Sequence, residues 1–534
     1  MTLTKYTKLG VVGAGSMGSM MAQLFAEAGP GVSIFDVKGD NVEIAVGLSE
    51  KNDAIKGKVK GFKDYGAFMA SPPSPGHRLL VFSITHGEPA DEVLDSLRPH
   101  LAKGDIILDG GNEWYQNTER RRRELKREQN VDYIGMGVSG GYQSARHGPS
   151  LSPGGDSAAI QRVMPLLEKV SAKAEDGSPC VTRIGPGGSG HYVKMVHNGI
   201  EQGMMGAVAE AWGLLRFNLG MKLDEIGEVF KQWSATPELK NTFLIDIGID
   251  ICQKRDCSLG KFGASDNENH VISTIVDKVV QDADDTEGTG TWSVAEAARL
   301  HVSSPTIAAS HFLRLASADR AARLKINENL KLPAALVTPR TTLDAEAKAQ
   351  LVEDVRQSVI ASFLSVFAQG LQLIARQSEK EGWDVSLVSC LKIWRAGCII
   401  SSDGLSAVLA DVAADFDAGA SKANGSALGS ATSHPKDASA TIPAHTRLTR
   451  PLAATFPALR RTILWSLERN ACAPTLSATL EWVKYIGAPV LPTMFMEAQL
   501  DWFGAHSFER WSSEAGSKGG IVQKGSEHYE WKPA

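Results

Sequence analysis

Near its start the chain runs from a short apolar stretch, Leu9-Gly10-Val11-Val12, straight into Gly13-Ala14-Gly15-Ser16-Met17-Gly18, and then into the helical pattern Met20-Met21-Ala22-Gln23-Leu24-Phe25-Ala26. No other stretch narrows the fold so far. A G-x-G-x-x-G alone is weak, but one set between a strand and a helix is the fingerprint of a dinucleotide-binding α/β domain. The glycines permit a tight turn, close passage of a pyrophosphate and close helix packing, while the helix start offers unpaired N–H groups. Gly13, Gly15, Ser16, Met17 and Gly18 are therefore expected to bind cofactor. The next apolar run, Val32-Ser33-Ile34-Phe35, ends at Asp36, near the spacing expected of the acid that accepts a ribose diol.

Further strands follow. Leu79-Leu80-Val81-Phe82-Ser83-Ile84 and Asp105-Ile106-Ile107-Leu108-Asp109 read as buried parallel strands, the second running into Gly110-Gly111-Asn112. Tyr133 to Val138 is another, ending in Ser139-Gly140-Gly141. Ligands of open α/β sheets gather at such carboxyl ends. Residues 61–77 are rich in Gly, Ser and Pro and read as a loop, and the Arg/Glu-dense run from Glu119 to Arg127 reads as a solvated helix face. Beyond Ile184 the strand pattern stops, and from about 191 to 400 helix follows helix. Residues 418–445 are rich in Ala, Ser, Gly and Thr and predict a flexible insertion. Trp511 and Trp531 lie in a polar tail with no evident core of their own, which suggests docking onto a partner subunit. The expected division is a Rossmann-like α/β domain over 1–188, a large all-α domain over 189–508 and a C-terminal tail over 509–534.

Within the helical half, Lys194, His197, Asn198 and Glu201 fall at i, i+3, i+4 and i+7 and form one stripe. The other faces carry Met195, Val196, Ile200, Met204, Met205, Ala207 and Val208, so the helix is apolar nearly all round and reads as buried. A base, an imidazole, an amide and an acid on such a helix are costly unless they face a cavity and a ligand. Lys194 and Glu201 lie about 10 Å apart along the axis, enough to bracket a molecule a few carbons long. Burial lowers a lysine pKa and raises a carboxyl pKa, which suits removing a hydroxyl proton at one end of a substrate and protonating a carbanion or enol at the other.

Composition excludes other classes. The 534 residues exceed one core, and 43% hydrophobic with 22% charged residues suits a soluble globular protein. A net charge of −5 gives no global pull toward nucleic acid or an anionic membrane. The six cysteines show no metal-ligand spacing, so no metal is expected, and reduced thiols are the default. No leader and no run of about 20 apolar residues is evident, so a cytoplasmic setting is expected.

The chain resembles the decarboxylating 6-phosphogluconate dehydrogenases. The likeness rests on Gly13 to Gly18, Asp109-Gly110-Gly111-Asn112, Val138-Ser139-Gly140-Gly141, Gly148-Pro149-Ser150-Leu151, Gly187 to Tyr192 running into Lys194 to Glu201, Gly288-Thr289-Gly290, Trp394 to Ile400, and Asp501 to His506, in family order across nearly the whole chain. The resemblance implies a Rossmann-like domain, a helical domain and a tail threading into the other subunit of a homodimer. It implies hydride transfer from C3 of a sugar acid to NADP or NAD, loss of CO2 from the β-keto acid and protonation of the enediol. Lys194 would be the base and later the donor to the carbonyl, and Glu201 the acid at C1. His197, Asn198, Asn112, Ser139, Gly140 and Gly141 would hold carboxylate and hydroxyls, with Asn112 and Asn198 also near the nicotinamide. Thr289, Arg314 and His506, with Ser139, would hold the phosphate.

The departures are specific. Asp36-Val37-Lys38 stands where the family has Asn-Arg-Thr, which removes the arginine facing the NADP 2′-phosphate and leaves Lys38 as the local cation. Gln202 replaces a tyrosine, Glu287 a lysine, and the expected arginine falls near Leu500. Three readings remain open: the family reaction with a reworked clamp, the same mechanism on a different 3-hydroxy acid without phosphate, and a non-catalytic nucleotide-binding protein. The intact Lys194 to Glu201 stripe argues against the last.

Overall fold

The computed structural model describes residues 8–71, 77–256, 269–282, 288–331, 343–425, 436–508 and 527–531. Its sheet holds β1 (Lys8–Val12), β2 (Gly31–Phe35), β3 (Val59–Phe62), β4 (Leu79–Phe82), β5 (Ile106–Asp109), β6 (Asp132–Ser139) and β7 (Ser150–Gly154), in the order β3-β2-β1-β4-β5-β6-β7. All neighbours are parallel except β6 and β7, which run antiparallel with Gly135 opposite Gly154 and Ser139 opposite Ser150. The order reverses between β1 and β4, which is where a doubly wound sheet opens its ligand crevice.

Both faces are covered. Leu9, Val11, Ile34, Val81 and Leu108 pack into one apolar layer, and Val12, Phe35, Leu80, Phe82 and Ile107 into the other. Alternation along each strand thus feeds two cores, and the strands read as continuous apolar runs for that reason. The described part of 61–77 is not a plain loop: Phe62 closes β3, and Tyr65–Ala70 is a helix whose Tyr65 and Phe68 rings pack on Phe35, while residues 72–76 lie outside the described residues. Two of the four residues of β3 are exposed and it sits at the sheet edge, so little apolar alternation marks it.

Beyond the sheet the chain is helical. The helix Ser189–Gly213 packs against Thr289–Arg299, Pro305–Ala318 and the 37-residue helix Ala345–Glu381. That last helix is long and apolar enough to cross a membrane, but 94% of its apolar window is buried within the protein, as in a core helix. Within 418–445, where a flexible insertion is expected, the described residues are helical, in Asp403–Gly425 and Lys436–Ala444, and residues 426–435 lie outside the described residues. Alanine favours helix as readily as it fills low-complexity linkers, and composition alone does not separate the two.

The chain divides into two compact units, Met1–Leu480 and Glu481–Ala534. In the second, the Thr493–Gly504 helix carries Asp501, whose carboxylate accepts hydrogen bonds from Ser507 N, His528 Nδ1, Tyr529 N and Trp531 Nε1 at 2.8–3.1 Å. Burial pushes this carboxyl up, yet the donors outweigh it and hold it below the usual carboxylate range. Trp531 therefore has an intrachain partner that its polar setting does not reveal; Trp511 lies outside the described residues.

Candidate active site

The Ser189–Gly213 helix lies almost in contact with the β6–β7 backbone. A Cβ at Gly190 would collide with the carbonyls of Gly135 and Ser152, and one at Gly137 would press into the Lys194 stem, 2.9 Å from its Cγ. Bare backbone on both sides is what this approach requires. His191 fastens the junction: its Nε2 meets the Asp109 carbonyl at 2.9 Å and its Nδ1 the Thr118 hydroxyl at 2.7 Å. With the carbonyl only able to accept, Nε2 carries the proton and Nδ1 accepts, a tautomer assigned from these partners.

The stripe is buried as its periodicity predicts: Lys194, His197 and Asn198 are each less than a tenth exposed. Lys194 Nζ donates to Asn198 Oδ1 at 2.5 Å, and Asn198 Nδ2 donates to Thr289 Oγ1 at 3.0 Å. The amide orientation follows, since an ammonium can only donate. His197 Nδ1 lies 3.1 Å from the same Oδ1, so it carries the proton and faces Glu201 Oε2 at 3.7 Å. Burial, reinforced by the Lys194 charge, pushes the His197 pKa well below the ordinary imidazole value, and the ring stays neutral. Its Nε2 is then a buried acceptor with no partner among the described residues. An unmet buried acceptor costs about 1–3 kcal/mol. A ligand hydroxyl would supply the missing donor.

At the other end of the crevice, Gly13 has φ +99° and packs on the Ser83 carbonyl, while nothing lies within 4 Å of the Cβ position of Gly15. That open backbone beside the start of the Ser16–Glu27 helix fits a pyrophosphate, with Ser16 and Met17 in its first turn and Gly18 packed against the Gly13 carbonyl. Asp36 accepts from Ala14 N at 2.7 Å and from Lys38 N at 2.8 Å. Val37 and Lys38 are exposed, and nearby Lys63 is paired with Glu43 at 2.7 Å.

The remaining expected residues fall as follows. Asn112 is half-buried in the turn after β5. Ser139 ends β6 on the face it shares with Gly137, two residues from the Lys194 contact, and Gly140 and Gly141 (φ +103° and +67°) start the next helix. Thr289 joins the stripe through Asn198. Gln202 is buried with its Oε1 3.2 Å from His311 Nδ1. Arg314 is half-buried on the Pro305–Ala318 helix, and Glu287 lies outside the described residues. Leu500 and the exposed His506 belong to the second unit.

One group reads differently from expectation. Arg121, in the run taken for a solvated face, is fully buried: its guanidinium donates to Glu113 Oε2 at 2.5 Å, Asp91 Oδ1 at 2.7 Å and the Gly87 carbonyl at 2.9 Å. Thr118, Arg121 and Leu125 share the buried stripe of the Tyr115–Gln129 helix, and that spacing was the available signal.

A doubly wound sheet that cradles a dinucleotide, joined to a helix bearing a buried lysine, histidine and amide beside a part-exposed acid, defines a pyridine-nucleotide-dependent oxidoreductase. Residues 8–185 match the NAD-binding domain of 6-phosphogluconate dehydrogenase, and residues 190–531 match the C-terminal domain of that enzyme. The chain belongs to the 6-phosphogluconate dehydrogenase family. It is 46% identical over 523 residues to the decarboxylating 6-phosphogluconate dehydrogenase of Emericella nidulans, covering 97% of this chain and 100% of that one. It is 35% identical to a chloroplastic form from Oryza sativa subsp. japonica, covering 98% and 93%. The 6-phosphogluconate dehydrogenase of Plasmodium falciparum, solved in apo form and in complexes with its cofactor NADP+ and its substrate 6-phosphogluconate, superposes with a TM-score of 0.78 at 29% identity, covering 98% of this chain and 100% of that one.

Proposed function

We propose that this chain catalyses the oxidative decarboxylation of 6-phosphogluconate to ribulose 5-phosphate and CO2. The observation that carries this reading is the helix stripe, in which Lys194 and His197 both meet the Asn198 amide oxygen and Glu201 lies 3.7 Å from His197. The nicotinamide, when bound, accepts a hydride. Lys194, as the neutral amine, takes the C3 hydroxyl proton as the hydride leaves that carbon, giving a β-keto acid. As the C1–C2 bond breaks and CO2 departs, Lys194 returns the proton to the C3 oxygen, and Glu201 then delivers one to C1 of the enediol. Neutral His197 accepts a substrate hydroxyl at Nε2, while Asn112, Asn198, Ser139, Gly140 and Gly141 orient the carboxylate and hydroxyls. Thr289 and Arg314 hold the phosphate end.

The cofactor reading favours NAD. The Asp36 carboxylate keeps lone pairs free for both ribose hydroxyls and repels a 2′-phosphate, Val37 adds no charge, and Lys63 is engaged with Glu43. Lys38 alone opposes this. The working form is a homodimer, with a partner subunit covering the apolar face of the Thr493–Gly504 helix, where Phe495, Met496 and Phe503 are more than 60% exposed. A second reading, an unphosphorylated 3-hydroxy acid as substrate, is favoured by Leu500 and Glu287, since two lost charge-assisted contacts amount to about 3 kcal/mol, roughly a hundredfold in affinity. Turnover on 6-phosphogluconate and on plain aldonates, with each dinucleotide, separates them. An ordinary micromolar KM for 6-phosphogluconate supports the first reading, and faster use of a plain aldonate supports the second.

A further inference from the structure

Two loops carry the crevice beyond the carboxyl ends of β4 and β5, and one buried cluster fastens both. Gly87 (φ +76°) closes the loop after β4: its N–H donates to Glu113 Oε2 at 3.0 Å, and its carbonyl accepts from Arg121 Nη2 at 2.9 Å. Glu113 closes the turn after β5, directly beyond Asn112, and its other oxygen accepts from Trp114 N at 2.8 Å and Asn117 Nδ2 at 2.9 Å. Asp109, at the root of that turn, accepts from Tyr133 and Gly111 N and lies 3.8 Å from Arg121. Glu113 is 3% and Arg121 0% exposed. The pair thus spends its hydrogen bonds on the backbone of both loops and on Asp91 and Asn117 of the helices that follow them. A planar five-donor fork can hold such an arrangement, whereas a single ammonium cannot. The clamped loop also reaches the helical part: His86 packs edge-on to Trp292 at 4.9 Å, on the helix that begins at Thr289.

We infer that Glu113 and Arg121 are positioning residues that hold Asn112 and the Gly87 loop at the spacing the nicotinamide half of the dinucleotide requires. In doubly wound folds the ligand crosses the sheet beyond these strand ends, so a shift of either loop changes the grip on that half first. The inference rests on the dinucleotide reading above, and the experiment keeps the two apart. Dissociation constants for NAD and NADP are measured by tryptophan fluorescence in the parent, Glu113→Gln, Arg121→Lys and, as a control, Asp354→Asn, alongside thermal midpoints. Asp354 is a comparably buried carboxylate paired with Arg461 at 2.6 Å on the Ala345–Glu381 helix. The expected result is a dinucleotide affinity weakened tenfold or more in Glu113→Gln and Arg121→Lys, and no such change in Asp354→Asn even where its midpoint falls. Affinities unchanged in both clamp variants, or weakened equally in the control, overturn the inference while leaving the dinucleotide reading intact. A parent that binds neither dinucleotide overturns both.

Discussion

Two buried polar clusters lie within the first unit, and their hydrogen bonding differs in kind. Around Arg121 the donors meet carboxylates or carbonyls on every side. Along the Ser189–Gly213 helix His197 Nε2 is buried without a partner among the described residues. A saturated cluster is scaffolding, because breaking one link exposes an uncompensated charge at a cost of about 3–5 kcal/mol. An unsaturated one holds its capacity for a ligand. Burial alone therefore does not mark a site; at the stripe the unmet acceptor lies beside a lysine, an amide and an acid.

The comparison predicts different failures. The largest effect belongs to Lys194→Met, expected to cut turnover by roughly 10³ or more while dinucleotide affinity stays near the parent value. Single-turnover hydride transfer and fluorescence titration read the two, and near-normal turnover would remove Lys194 from its role. Glu201→Gln is expected to slow the protonation step by roughly 10². Deuterium incorporation at C1 locates the slowed step, and an unaltered rate would move the acid elsewhere.

Smaller effects test the ligand ends. Glu287→Lys restores one charge-assisted contact, so 6-phosphogluconate KM should fall about tenfold, whereas an unchanged KM means that the side chain at 287 does not face the phosphate. Asp36→Asn removes the charge opposing a 2′-phosphate and should move the NADP-to-NAD ratio of kcat/KM upward by about tenfold, with no movement excluding Asp36 as the discriminator.

The smallest effect on turnover concerns Glu210, further along the same helix, whose carboxylate accepts from Thr475 N at 2.7 Å and Leu476 N at 2.9 Å. Burial pushes this carboxyl up to about 7, above its value in the unfolded chain. The folded state then binds the extra proton between about pH 4.5 and 7, so this group's stabilisation is complete below that window and is lost as pH rises through it. Glu210→Gln imitates the protonated form. Its unfolding free energy relative to the parent should improve by on the order of 1–3 kcal/mol between pH 5 and 8. Denaturant midpoints across that range check this, and a flat difference would show that Glu210 is charged throughout.

Much of the sheet and of the stripe was legible because each rests on short-range periodicity. The run before Gly13, the strand ending at Asp36 and the i, i+3, i+4, i+7 spacing from Lys194 are local patterns, and the structure bears out each as strand, strand and buried helix face. β3 and β7 were not legible: the first is an exposed edge, and the second contains Pro153 and Gly154 and is defined by pairing with β6. Arg121 was misread because charge density in its run outweighed its place on the Thr118 and Leu125 stripe, and its partners come from 87, 91 and 113. Gly137 carries no chemistry of its own, and only the helix lying on it reveals why a side chain is excluded there.

The bonds from Ala14 N and Lys38 N to Asp36 carry a thermodynamic consequence. The first ties the glycine turn to the end of β2 and the second holds the turn at Asp36, so the protein's own hydrogen bonds meet part of the ordering cost of about 1–2 kcal/mol per residue. A turn held by such bonds loses less conformational freedom on binding than a loose loop would.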